Sequence, residues 1–122
     1  MKMPAVMSVL IVDDHPSFRA SARRLLEAEG FDVIGEAGDG HAAIAAAQQL
    51  QPDLVLLDVQ LPDINGFEVA ARLAALGLPS AVVLTSSRNP AEYGPLVTDT
   101  VVRGFVPKAE LSGAVLTALL TP

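Results

Sequence analysis

Val9-Leu10-Ile11-Val12-Asp13-Asp14 is the stretch on which the fold of this 122-residue chain turns. With Ser8 in front, residues 8–12 form an apolar run without polar alternation, which suits a strand covered on both faces. The run stops on two aspartates. Four more runs share its form. Residues 31–34 follow Gly30, 54–57 (LVLL) end at Asp58, 81–84 (AVVL) end at Thr85, and 101–106 (VVRGFV) end at Pro107-Lys108. The stretches between them are predicted to be helices. Residues 16–29 place Pro16 at a first helical position and stop at Gly30. Residues 41–50 open after Asp39-Gly40 and end before Gln51-Pro52. The turn signal Asn65-Gly66 starts 67–76, which Gly77 closes. Residues 90–100 hold Gly94, Pro95 and three β-branched residues, so a short or distorted helix is expected there. Residues 109–120 make a last helix despite Gly113.

Strand and helix thus alternate along the whole chain, which implies a parallel sheet with helices on both faces. Right-handed crossovers make it doubly wound, and such sheets bind ligands beyond the carboxyl ends of their strands. The length suits a single domain, 1–122. Hydrophobic residues make up 51% and charged residues 18%, a globular composition with a core of Ala, Val and Leu. The absence of cysteine removes disulfides, thiolate metal sites and cysteine nucleophiles. A net charge of -6 argues against a nucleic-acid-binding face. No apolar run reaches the roughly 18 residues of a membrane span. Met1-Lys2-Met3-Pro4 makes a poor signal peptide, so a cytoplasmic location is expected.

In a parallel sheet the ends of these runs share one edge. Asp13, Asp14, Asp58, Thr85 and Lys108 then converge on one crevice. Three like charges repel and raise one another's pKa, so stability alone gives little reason to gather them. A divalent cation removes the repulsion. Oxygen ligands with incomplete protein coordination suit Mg²⁺, which often binds beside a phosphate. A carboxylate there can be a nucleophile toward a phosphoryl group, with a lysine and a hydroxyl on its other oxygens. The chemistry is that of an acyl phosphate on an aspartate.

Val12-Asp13-Asp14, Leu57-Asp58, Pro62 to Gly66 (PDING), Leu84-Thr85-Ser86 and Gly104 to Lys108 (GFVPK) are weak motifs singly and specific as a set. On them the chain resembles the receiver domain of two-component response regulators, over roughly residues 7–120. The Asp-Asp-His-Pro opening is most similar to the subfamily whose receivers often precede a helix-turn-helix output domain. The resemblance implies a flavodoxin-like α/β fold with strand order 2-1-3-4-5 and five helices. It implies Asp58 as phosphoacceptor, with Mg²⁺ on Asp13, Asp14, Asp58 and the backbone carbonyl of Gln60. Lys108 would pair with the phosphoryl group or with Asp58. Thr85 would move toward the phosphoryl group, and Phe105 would be the switch aromatic. The donor would be a phosphohistidine on a sensor histidine kinase or phosphotransfer protein. Two departures stand out. Ala109 follows the site lysine where the family commonly has proline, and a cis bond there would cost about 2.5–4 kcal/mol. Ser86 and Ser87 follow Thr85 where many relatives carry a small apolar residue first.

Plainer readings compete at single positions. Phe105 divides evenly between switch and packing. His15 and His41 are read as surface residues, Gly38-Asp39-Gly40 as a turn, and Glu27, Glu29, Glu36 and Asp39 as a solvated face. The leading function is a phosphorylation-dependent switch that loses its phosphoryl group by self-catalysed hydrolysis and is otherwise not an enzyme. An aspartyl-phosphate phosphatase is disfavoured, because those usually carry Asp-x-Asp on the first strand. An interaction module acting without phosphorylation predicts loss of a site residue, and none is lost. The ending Leu119-Leu120-Thr121-Pro122 has no linker character, which favours a stand-alone receiver over a domain cut from a DNA-binding regulator. The output partner is left open, and the apolar stretch 97–106 raises a homodimer.

Overall fold

The computed structural model describes residues 6–87 and 102–120. Its five strands are β1 (Ser8–Val12), β2 (Asp32–Ala37), β3 (Leu54–Asp58), β4 (Ala81–Ser86) and β5 (Val102–Pro107). All pair in parallel, in the order β2-β1-β3-β4-β5. This is the expected flavodoxin-like, doubly wound sheet. The described residues hold four α-helices: α1 (Pro16–Ala28), α2 (Gly40–Leu50), α3 (Gly66–Ala75) and α4 (Gly113–Leu120). The fifth expected helix, 90–100, lies outside the described residues, as does the first half of the 97–106 stretch behind the dimer expectation. No helix among the described residues is long and apolar enough to cross a membrane.

Successive strand side chains point to opposite faces, so each unbroken apolar run feeds two cores. Leu10, Val12, Val55, Leu57 and Leu84 face α2 and α3, where Ala43, Ala47, Val69, Ala70 and Leu73 meet them. Val9, Ile11, Leu54, Leu56 and Val83 face α1 and α4, against Ala22, Leu26, Leu116 and Leu120. Each fully buried Leu or Val contributes about 1.5–3 kcal/mol against exposure. The two layers hold the central strands rigid, and their carboxyl ends with them.

Element boundaries differ from the sequence expectation where polar residues are involved. β2 runs on from Ile34 through Gly35, Glu36 and Ala37, because an edge strand tolerates polar side chains on its open side. β3 and β4 extend through Asp58 and Ser86, so those side chains are held by strand geometry and not by loops. The last helix begins at Gly113 instead of residue 109. Lys108–Glu110 form a 3-10 turn and Leu111 is extended. The Ser112 hydroxyl oxygen then accepts from the Val115 N–H at 3.1 Å, and Glu29 accepts from the Gly113 N–H at 2.8 Å. A Cβ at Gly113 would meet the Glu29 carboxylate, the movable end of an exposed side chain.

Candidate functional site

Parallel register sets the site. Val12 lies opposite Leu57, Asp58 opposite Thr85, and Thr85 opposite Val106. The residues that end β1, β3, β4 and β5 therefore share one edge, as expected. Asp13 is fully buried and Asp58 only 3% exposed, whereas Asp14 is exposed and Lys108 half-buried. The Lys108 Nζ lies 2.6 Å from Asp13 Oδ2 and 3.2 Å from Asp58 Oδ2. Buried charge is costly unless paired, and one ammonium serves two carboxylates here. Its approach to Asp13 Oδ2 is an ion pair without hydrogen-bond alignment, and that oxygen has no hydrogen-bond donor among the described residues.

The remaining donors are local. Asp13 Oδ1 accepts from the His15 N–H at 2.8 Å, and Asp58 Oδ1 accepts from the Gln60 N–H at 3.1 Å. Burial pushes the Asp58 carboxyl above its ordinary range. The Asp13 charge adds to this, while the Gln60 N–H and Lys108 oppose it. Burial also works against the Lys108 ammonium, but Asp13 and Asp58 outweigh it and hold that pKa above the usual lysine value. The Thr85 backbone carbonyl accepts from the Val59 N–H at 2.9 Å, tying β4 to the residue after Asp58. The Thr85 hydroxyl is buried with no hydrogen-bond partner among the described residues. Gly66, at the start of α3, sits so close to this strand end that a Cβ would lie 2.5 Å from the Asp58 carbonyl oxygen.

Ligand atoms of Asp13, Asp14, His15 and Asp58 all lie within 4.8 Å of one another. The donor set fits a hard divalent cation. Three carboxylates offer oxygen, Asp13 Oδ2 lacks a hydrogen bond among the described residues, and the charge is only partly balanced by Lys108. His15 offers nitrogen, a poorer Mg²⁺ ligand, so the aspartates are the fitting set and His15 their neighbour. Gln60 is exposed on the loop after β3, with its backbone joined to Asp58. Phe105 is half-buried, lies opposite Leu84 in register and packs against the α2/α3 core. No peptide bond among the described residues is cis, so Lys108–Ala109 is trans.

Two side chains at the site, Phe18 and Arg19, escaped the sequence reading, and His15, weighed there beside the acidic pocket but read as a surface residue, is exposed yet contacts it. His15 Nδ1 is 3.1 Å from both Asp13 Oδ1 and Asp14 Oδ1. The Phe18 ring centroid lies 4.6 Å from the Lys108 Nζ, a cation–π distance. The Arg19 guanidinium donates to the Asp13 backbone carbonyl. The signal was present, because positions 15, 18 and 19 share one helical face entering α1.

The family model of the response regulator receiver domain matches residues 9–120. The chain is 42% identical over 102 residues to BvgA of Bordetella pertussis, named as a positive transcription regulator of virulence factors. That match covers 84% of this chain and 49% of BvgA. It is 31% identical over 113 residues to the DNA-binding transcriptional activator EvgA of Escherichia coli K12, covering 93% and 55%. The signal receiver domain of the response regulator NarL from Mycobacterium tuberculosis superposes with a TM-score of 0.83 at 34% identity, covering 98% of this chain and 100% of that one. The chain spans about half the length of the curated relatives it matches.

Proposed function

We propose that this chain, which belongs to the response regulator receiver domain family, is a phosphorylation-dependent signalling switch of a two-component system. The observation that carries this reading is the pairing of a buried Asp58 with Lys108, beside a buried Asp13 whose Oδ2 has no hydrogen bond among the described residues. In the proposed reaction an Asp58 carboxylate oxygen attacks the phosphorus of a phosphohistidine on a sensor histidine kinase or phosphotransfer protein. The P–N bond breaks, the P–O bond forms, and the leaving imidazole takes up a proton. Lys108 exchanges its contact with Asp58 for a phosphoryl oxygen. The Thr85 hydroxyl, which has no partner among the described residues, gains one in a second phosphoryl oxygen. Water later attacks the phosphorus, the bond to Asp58 breaks, and inorganic phosphate leaves.

Asp13, Asp14, Asp58 and the Gln60 carbonyl would hold Mg²⁺. When bound, the ion supplies charge neutralisation on the transferring oxygens. The phosphoryl group acts by favouring one of two conformations, read through Thr85 and Phe105. The relatives are transcription regulators, so the output we propose is a DNA-binding segment of a longer regulator. The acidic receiver itself stays off the nucleic acid. A cytoplasmic site of action belongs to the same reading.

Intact mass after incubation with Mg²⁺ and a small-molecule phosphodonor tests it. Wild type should gain one phosphoryl group, and Asp58→Asn should gain none. A wild type that binds Mg²⁺ yet gains nothing from either the small donor or a histidine kinase would sink the switch. An interaction module acting without phosphorylation would then stand.

A further inference from the structure

Asp63 lies on the loop between β3 and α3, and its carboxylate is spent almost wholly on the start of α2. Its Oδ1 accepts from the Gly40 N–H at 2.7 Å and from its neighbour Ile64 at 2.8 Å. Its Oδ2 accepts from the His41 N–H at 2.9 Å and lies 2.6 Å from His41 Nδ1. Desolvation works against this charge, but the backbone donors outweigh it and hold the carboxyl well below the usual carboxylate range.

These contacts complete the cap of α2 from a distance, because Gly40 and His41 are its first two residues and their N–H groups have no acceptor within the helix. α2 already has an N-cap, Asp39, whose side chain accepts from the Ala42 N–H at 2.7 Å. What Asp63 adds is a tie between two segments distant in sequence. The loop it fastens is the one whose Gln60 N–H donates to Asp58 Oδ1. The far end of that loop closes through the Gly66 N–H, which donates to the Val59 carbonyl at 2.7 Å. On the apolar side, Ile64 packs against Gly40 so closely that a Cβ there would collide with it.

We infer that Asp63 is a positioning residue for the acidic site: by fastening the 59–65 loop to the start of α2, it fixes Gln60, and through Gln60 the orientation of Asp58 toward a divalent cation. The inference rests on the proposed cation-binding role of Asp58. Asp63 touches neither the cation nor Asp58 itself.

The test compares Asp63→Ala with Asp39→Ala. Both remove a carboxylate from the same helix start, but only Asp63 holds the loop. Mg²⁺ is titrated into the ¹⁵N-labelled unphosphorylated chain, the Gln60 amide shift is followed, and thermal unfolding is recorded beside it. Asp63→Ala should weaken Mg²⁺ affinity about tenfold, the usual scale for losing a group that orients a ligand. Asp39→Ala should leave affinity at the wild-type value while losing comparable stability. Asp63→Asn, which keeps one acceptor oxygen, should fall between and covers the case in which the alanine variant does not fold. Equal affinities for the Asp63 and Asp39 variants would overturn the inference and leave Ile64 as the loop's anchor. A wild type that binds no Mg²⁺ is a different failure, since it removes the proposed cation site and the inference with it.

Discussion

Asp13 illustrates the conflict built into the site. It is fully buried, shares Lys108 with Asp58, and keeps an oxygen without a hydrogen bond among the described residues. Asp13→Asn retains the acceptor for the His15 N–H and removes one of two adjacent negative charges, while Lys108 keeps Asp58 as its partner. Without divalent cations the variant should therefore gain about 1 kcal/mol in urea unfolding, the ordinary scale of a single stabilising substitution. Mg²⁺ binding should weaken in the same protein. A variant less stable than wild type in chelator would show that the Lys108 pair outweighs the repulsion. Thr85 is the second case. Its buried hydroxyl has no partner among the described residues, so Thr85→Val should be neutral or stabilising by about 1 kcal/mol. The same change should abolish the phosphorylation-dependent shift in Phe105 resonances. A clear loss of stability would mean that the hydroxyl already serves the resting fold. At this scale the sequence was informative for residues that end strands, because parallel topology alone brings Asp13, Asp58, Thr85 and Lys108 together. Phe18 and Arg19 arrive from α1 through tertiary packing, which strand-end reasoning does not reach.

Elements held by burial or by local caps were legible, and ends fixed by polar contacts to residues distant in sequence were not. β1, β3 and β4 are continuous apolar runs and were found nearly at their observed limits. β2 was truncated because it lies at the sheet edge, where Glu36 replaces an apolar contact with an ion pair. Arg19 Nε donates to Glu36 Oε1 at 3.1 Å and Arg23 Nε to Oε2 at 2.8 Å, clamping α1 onto β2. Arg23 also donates to the Val33 carbonyl at 3.2 Å. Hydrogen bonding from Arg23, aided by Arg19 and opposed by desolvation, holds the Glu36 carboxyl below its ordinary range. A carboxylate whose pKa is lower in the folded state stabilises the fold above its unfolded pKa, about 4.3, and loses that contribution as pH falls through its folded value. Glu36→Gln should thus be less stable than wild type at neutral pH by at most about 1 kcal/mol, since the pair is partly exposed. The gap should narrow below about pH 4 and at high salt. Urea midpoints at neutral and acidic pH check this, and a gap independent of pH would assign the loss to packing. The last helix was misplaced for a related reason. Its start is set by Ser112 and by Glu29, a residue distant in sequence, and neither leaves an apolar signature.

The alternation of strands and helices was enough to deduce a doubly wound sheet, but not which strands lie at its centre. Burial of all of β3, and of β1 from Val9 onward, reflects neighbours on both sides, and the order 2-1-3-4-5 came to the sequence reading only with the family resemblance. That order brings the first and third strands side by side, so Asp13 and Asp58 become neighbours despite 44 intervening residues. A ligand that bridges them therefore bridges distant parts of the chain and couples to unfolding of the whole molecule. Binding to the folded state alone stabilises by RT ln(1 + [L]/Kd), which is about 2.7 kcal/mol at a hundredfold excess over Kd. Mg²⁺ should raise the thermal midpoint of wild type along this logarithmic curve. A chain of net charge -6 also gains from general screening, so the comparison must be with NaCl at equal ionic strength. Asp14→Ala removes an exposed carboxylate with little effect on packing, and its midpoint should follow ionic strength alone. If wild type responds to Mg²⁺ and NaCl identically, the carboxylates act as a diffuse acidic surface. If only the aspartate variants lose the Mg²⁺ increment, the cation joins strand ends that the chain itself leaves in repulsion.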